Sequence, residues 1–121
     1  MPRKPRIEIA GYYHIINRGV EQRAIFKEAN DYKEFEELMC FYAKSYSIII
    51  HNYCLMTNHY HLLIEIQQEN LSKFMRQLNM NYAIYFNKKY KKVGHLSYIA
   101  MSNIQDDLNL GMSLMKLISI L

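Results

Sequence analysis

Long apolar runs are missing from this chain. No stretch approaches the roughly 18 to 20 consecutive apolar residues that a membrane span needs, and the opening Met1-Pro2-Arg3-Lys4-Pro5-Arg6 has no apolar segment of the secretory kind behind it. A cytoplasmic protein without membrane contact is the expectation. Cysteine is scarce too: Cys40 and Cys54 are the only two and form no CxxC spacing. Neither a zinc knuckle nor a disulfide framework is supported, and two buried thiols are expected. There is no internal repeat, low-complexity tract or linker. Acid is absent from one long stretch: between Leu71 and His95 stand Lys73, Arg76, Lys88, Lys89, Lys91 and Lys92 with no Asp or Glu. The net charge is only +4, but positive charge gathered in one segment favours a polyanion partner.

What is present suffices for one domain. The 121 residues are half apolar or aromatic, enough for a real core. Gly11 to Gly19 is rich in β-branched and aromatic residues and closes on glycine, which predicts a strand. After Asn30, a candidate N-cap, Tyr32, Phe35, Leu38, Met39 and Tyr42 recur at helical spacing, with Asp31 and Glu34 near the positive end of the helix dipole. Ser47 to Met56 and Tyr60 to Ile66 read as two strands joined by a tight turn at Thr57-Asn58. Leu71, Phe74, Met75, Leu78, Tyr82, Tyr85 and Phe86 return to helical spacing behind Asn70. A last strand near His95 to Ile104 completes β-α-β-β-α-β, so the expected fold is α+β, a ferredoxin-like sandwich with helices on one face of an antiparallel sheet. A helix over 106 to 121 would use Leu108, Met112, Met115 and Ile118, with Gly111 interrupting it.

The segment His59-Tyr60-His61 carries the chemistry. Side chains alternate across a strand, so His59, His61, Leu63 and Glu65 share one face and Tyr60, Leu62, Ile64 and Ile66 the other. Two imidazoles at i, i+2 offer two neighbouring ligand positions to a divalent ion and leave others open for a phosphate oxygen and water. Against this stands the bland reading of two surface histidines.

Four blocks decide between them. Leu55-Met56-Thr57-Asn58-His59-Tyr60-His61-Leu62-Leu63-Ile64-Glu65 follows "vLMpNHvHLLle", and Tyr12-Tyr13-His14-Ile15-Ile16-Asn17-Arg18-Gly19 follows "YHVinRG". Ala24-Ile25-Phe26 stands where "xIF" is expected, and Tyr82 to Tyr90 followed by Gly94-His95-Leu96 follows "YtrYFNrrhgrxGHLF". In this order they resemble the IS200-like transposase family, especially its REP-associated tyrosine transposase branch, from about Pro2 to Leu96.

The resemblance implies an HUH endonuclease fold in which His59 and His61 hold Mg2+ or Mn2+ against the scissile phosphate of single-stranded or hairpin DNA. A tyrosine then attacks that phosphate, giving a 5′-phosphotyrosine link and a free 3′-hydroxyl, so strand transfer needs no ATP. Arg18 and Arg23, around the Gly19 turn, are candidates for phosphate or base contact, with surface arginine as the equal alternative. Lys88, Lys89, Lys91 and Lys92, interleaved with Tyr85 and Tyr90, suit a DNA backbone and stacked bases, and His95 joins that set. Tyr60 replaces the usual aliphatic residue and needs a hydroxyl partner if buried. Asn58 is expected to bond within the hairpin turn, and His14 and His51 to be satisfied sheet or core residues. Such enzymes work as dimers or, among REP-associated relatives, as monomers, which leaves a homodimer open.

After Leu96 the match fades, and the segment from about 97 to 121 is expected to be divergent or truncated, as a shortened or frameshifted gene would leave it. Ser97-Tyr98-Ile99-Ala100 stands in place of "FqgRf", and no tyrosine follows Tyr98, whereas the family's nucleophile lies on a later helix. Tyr98 falls where a strand is expected and does not match that position. The chain is therefore expected to bind DNA without completing cleavage, with no catalytic residue assigned. Alternatives are a remnant acting only as a hairpin-binding module, and a tyrosine rearranged within the chain or supplied by another subunit. A metal-binding protein unrelated to nucleic acid would leave the Lys88 to Lys92 cluster unexplained.

Overall fold

The computed structural model describes residues 10–103; the helix expected over 106 to 121 lies outside them. The elements are β1 (Gly11–Gly19), a 3-10 turn (Val20–Gln22), α1 (Ala29–Ser45), β2 (Ile49–Met56), β3 (His59–Ile66), α2 (Leu71–Tyr90) and β4 (Ser97–Asn103). The sheet order is β2-β3-β1-β4 with every neighbouring pair antiparallel, the split β-α-β arrangement of a ferredoxin-like sandwich.

The alternation in β3 sets the two faces. Tyr60, Leu62, Ile64 and Ile66 are at most 1% exposed and join Tyr13 and Ile15 of β1 in one core with Phe35 and Met39 of α1 and Phe74, Leu78, Tyr82 and Phe86 of α2. Both helices therefore cover one face and leave the histidine face without a helix among the described residues. Tyr60 is accommodated because Asn17 Nδ2 donates to its Oη at 3.0 Å and to Asn79 Oδ1 at 2.9 Å. A buried hydroxyl with a partner avoids the cost of an unsatisfied one.

The start of α1 differs from the sequence reading. Its N-cap is Glu28, not Asn30, because Asp31 accepts the backbone N–H groups of Lys27 at 2.8 Å and Glu28 at 3.2 Å and so closes the first turn two residues earlier. The Asp31 side chain is fully buried. It also accepts from Tyr85 Oη at 2.8 Å, Lys89 Nζ at 2.8 Å and Tyr90 Oη at 2.5 Å, all on α2. Burial pushes this carboxyl up, but the bonds from Lys89, Tyr90, the Lys27 amide and Tyr85 outweigh it and hold it well below the usual carboxylate range. One carboxylate thus ties the beginning of α1 to the end of α2.

Neither thiol is buried as expected: Cys40 is exposed on α1 and Cys54 half-buried on β2. Cys40 points away from the stripe that α1 buries, and Cys54 stands opposite His61 on the face the helices leave uncovered. No helix among the described residues is long and apolar enough to cross a membrane.

Candidate functional site

The hairpin turn at Thr57-Asn58 delivers His59 to the first position of β3, and the loop after β1 wraps around it. Gly19 N donates to Asn58 O at 2.9 Å, while Ile25 N and Phe26 N both donate to Thr57 O. That wrap leaves no room at Gly19, where a Cβ would stand 2.1 Å from the Arg23 carbonyl oxygen. The Arg18-Gly19 pair of the sequence therefore has a steric reason. Glu21 and Gln22 follow with φ of 54° and 60°, a left-handed conformation that costs non-glycine residues and is commonest at functional loops. Arg18, Gln22, Asn58 and His59 line a hollow of about 200 Å³.

Each imidazole is held by a neighbour. Asn58 turns its Nδ2 toward the Gln22 carbonyl (3.5 Å), leaving its Oδ1 2.7 Å from His59 Nδ1. An amide oxygen only accepts, so His59 Nδ1 is the donor and Nε2 is the ring nitrogen left facing away from Asn58, the arrangement of a histidine that ligates through Nε2. His61 Nδ1 lies 3.1 Å from His14 Nε2, with the two rings stacked at 5.3 Å. The His59 and His61 rings are 5.2 Å apart and nearly perpendicular. His61 is 6% exposed; burial first, then the neighbouring His14, His59 and Arg18, push its pKa down to about 4. It is neutral at physiological pH, the form in which imidazole binds a metal. Among the described residues, no group of three or more His, Cys, Asp or Glu side chains is placed to hold a metal ion. His14 supports His61, in keeping with its expected satisfied role, and His51 is taken by Glu65 Oε1 at 2.9 Å.

The remaining candidates divide. Arg18 is exposed on the histidine face, directly opposite His59 in the β1–β3 register. Arg23 instead donates from Nη2 to the His95 carbonyl at 3.3 Å and lies over the Phe86 ring at 5.8 Å, bracing the loop that follows β1. Lys89 is engaged by Asp31 and Glu28, and those bonds, Asp31 first, push its ammonium pKa up. Tyr85 and Tyr90 give their hydroxyls to the same carboxylate rather than standing free for bases. Lys88, Lys91 and Lys92 are exposed at the end of α2, and His95 lines an approximately 410 Å³ groove between α2 and β4 together with Arg76, Asn79 and Asn87. The loop from α2 leads to Ser97, which pairs with Gly19. These lysines and the histidine pair thus occupy the same end of the sheet.

Sequence reasoning missed the placement of Tyr98. It pairs with Arg18, which pairs with His59, so His59, Arg18 and Tyr98 form one row across β3, β1 and β4. Tyr98 is 63% exposed, whereas Ser97 is buried and Ile99 packs on the core, which puts Tyr98 on the histidine face. Strand alternation from Leu96 onward carried the signal, but reading it required the register of two strand pairs.

The family model described as Transposase IS200 like matches residues 9–103. This chain belongs to the IS200-like transposase family. No curated protein matches it. Among solved structures, the IS200-like chain is similar to a REP-associated tyrosine transposase bound to a REP hairpin, with a TM-score of 0.60 at 11% identity over 85% of this chain and 62% of that one. The chain therefore spans less than two thirds of that transposase. It is also similar to a candidate transposase from Deinococcus radiodurans, with a TM-score of 0.64 at 12% identity over 92% of each chain. At these identities the likeness is one of fold, and it agrees with the α+β sandwich expected of the IS200-like chain.

Proposed function

We propose that this IS200-like chain binds single-stranded DNA carrying a hairpin and holds one Mg2+ or Mn2+ ion between His59 and His61, as a transposase-like protein of the HUH class. The observation that carries the reading is the histidine pair itself: two imidazoles side by side, one of them bonded to Asn58 through Nδ1 so that its Nε2 faces away, next to a hollow lined by Arg18. The donor set fits the ion, because two nitrogen ligands leave coordination positions for a phosphate oxygen and water. When bound, the ion would supply Lewis-acid polarisation of the phosphate. The chain's own groups do the rest. Arg18 neutralises a non-bridging phosphate oxygen, Asn58 and His14 fix the two rings, and Lys88, Lys91 and Lys92 follow the DNA backbone. The likeness to a transposase bound to a REP hairpin supports DNA as the partner. A hairpin-binding module that performs no chemistry is the second reading, favoured by Ser97-Tyr98-Ile99-Ala100 standing in place of "FqgRf".

Incubation with a labelled single-stranded hairpin library, with and without Mn2+, tests the proposal by scoring retention and cleavage together. Hairpin-bearing strands are expected to be retained, with an affinity that falls as salt rises. Changing Lys88, Lys91 and Lys92 to Gln should reduce the log–log salt slope by up to about 2, at roughly 0.7 per phosphate contact on a single strand. Lys89→Gln should leave the slope alone and lower the melting temperature instead, because its charge is engaged within the fold. Absence of hairpin retention at any salt concentration would overturn the reading.

A further inference from the structure

A single strand held by its phosphates gains further affinity when a base finds an open aromatic ring. The sequence offers Tyr85 and Tyr90 for that contact, but in the fold both give their hydroxyls to Asp31. Their faces are taken as well: Lys27 and Lys89 lie over the Tyr90 ring at 4.6 and 5.3 Å, and Lys89 lies over Tyr85 at 5.4 Å. The contact therefore needs another ring.

Of the tyrosines and phenylalanines among the described residues, Tyr12, Phe41, Tyr53 and Tyr98 are exposed. Phe41 belongs to α1, across the sheet from the histidines, and Tyr53 pairs with Leu62 on that same helix side. Tyr12 is on the histidine face but pairs with Glu65, six residues along β3 from His59, roughly 20 Å at the usual strand rise. Its ring also lies against that of His51 at 5.4 Å.

Tyr98 joins openness to the site. With strands about 4.8 Å apart, its backbone stands roughly 10 Å from that of His59, with Arg18 between them. One nucleotide spans such a row, its phosphate at Arg18 and the histidines and its base over the tyrosine. The exposed His95 ring lies beside Tyr98, with centroids 6.4 Å apart and planes inclined by 30°, and widens the aromatic surface.

We propose that Tyr98, flanked by His95, stacks one unpaired nucleobase of the bound strand, that of the nucleotide whose phosphate sits at Arg18 and the histidine pair. This inference rests on the DNA-binding reading above. It adds the contact that requires the strand to be single at the site, because a base inside a duplex has both faces covered by its neighbours. Every base has a π-face, so the contact selects strandedness and leaves sequence preference to other groups.

Two measurements test it. Iododeoxyuridine placed at each position of a retained hairpin strand in turn, then irradiated, should cross-link to the wild-type chain most strongly from one unpaired position, at Tyr98 or His95. Cross-links that map only to other residues, or no cross-link from any position, would overturn the assignment. In the second measurement, Tyr98→Ala should weaken hairpin-strand binding about fivefold or more without changing the log–log salt slope, since the contact carries no charge. Tyr98→Phe keeps the ring and should bind within twofold of the wild type. A Tyr98→Ala affinity within twofold of the wild type, an equal loss in Tyr98→Phe, or a flattened slope in Tyr98→Ala would each sink the stacking role and leave the binding reading standing. Absence of retention by the wild type would remove both.

Discussion

Replacing His59 and His61 together with alanine is expected to abolish Mn2+ binding and leave the sheet folded. The expected loss is complete because the described residues offer no third side chain to take over, and a divalent ion with no protein ligand has only water and DNA phosphates to hold it. The single variants should differ in their side effects. His59→Ala removes a half-exposed ring whose partner is its neighbour Asn58, so stability should hardly change. His61→Ala opens a cavity beneath a buried ring and takes a partner from His14, which should cost on the order of 1–3 kcal/mol. Isothermal titration with Mn2+, combined with thermal melts of the three variants, checks both statements. An unchanged Mn2+ isotherm in the double variant would remove the metal assignment.

The second large effect concerns stability. Asp31→Asn presents an amide of the same shape to five hydrogen-bond donors, so one of its two ends turns a donor toward donors and the charge opposite Lys89 disappears. A loss of roughly 3 kcal/mol follows for a buried carboxylate of this kind, or a melting temperature lower by about 10 °C or more at this chain length. The pH dependence has a definite sign. The folded pKa lies below the ordinary 3.8, so the contribution is complete above about pH 4 and is withdrawn as pH falls toward the folded value. The gap between wild type and Asp31→Asn should be widest near neutrality and narrow below pH 4. A gap that widens on acidification would contradict the network.

Strand and helix periodicity carried most of the fold. Gly11 to Gly19 became β1 with those bounds, the turn at Thr57-Asn58 joined β2 to β3, and α2 began at Leu71 behind Asn70. What periodicity could not carry were partnerships between distant positions. Asp31 and Lys89 are 58 residues apart, so a lysine that reads as part of a DNA-binding run is an internal counter-ion in the fold. Asn30 looked like the cap because its residue type suits that role, yet the carboxylate one position later takes the cap's amide. At the site, the shared face of His59 and His61 followed from alternation alone. The support of His61 by His14 did not, because these two stand diagonally: His14 pairs with Leu63, and His61 with Ile16.

The position of the two strands in the sheet gives the site an uneven stiffness. Among the described residues, β3 is laddered on both sides, by β2 and by β1, while β4 is paired on one side, by β1. Opening β3 would break two ladders at once, so the imidazoles keep their geometry for as long as the sheet itself persists; β4 can breathe by releasing one. The two imidazoles therefore stand on the stiffer part of the sheet, and Tyr98 stands on its more compliant edge.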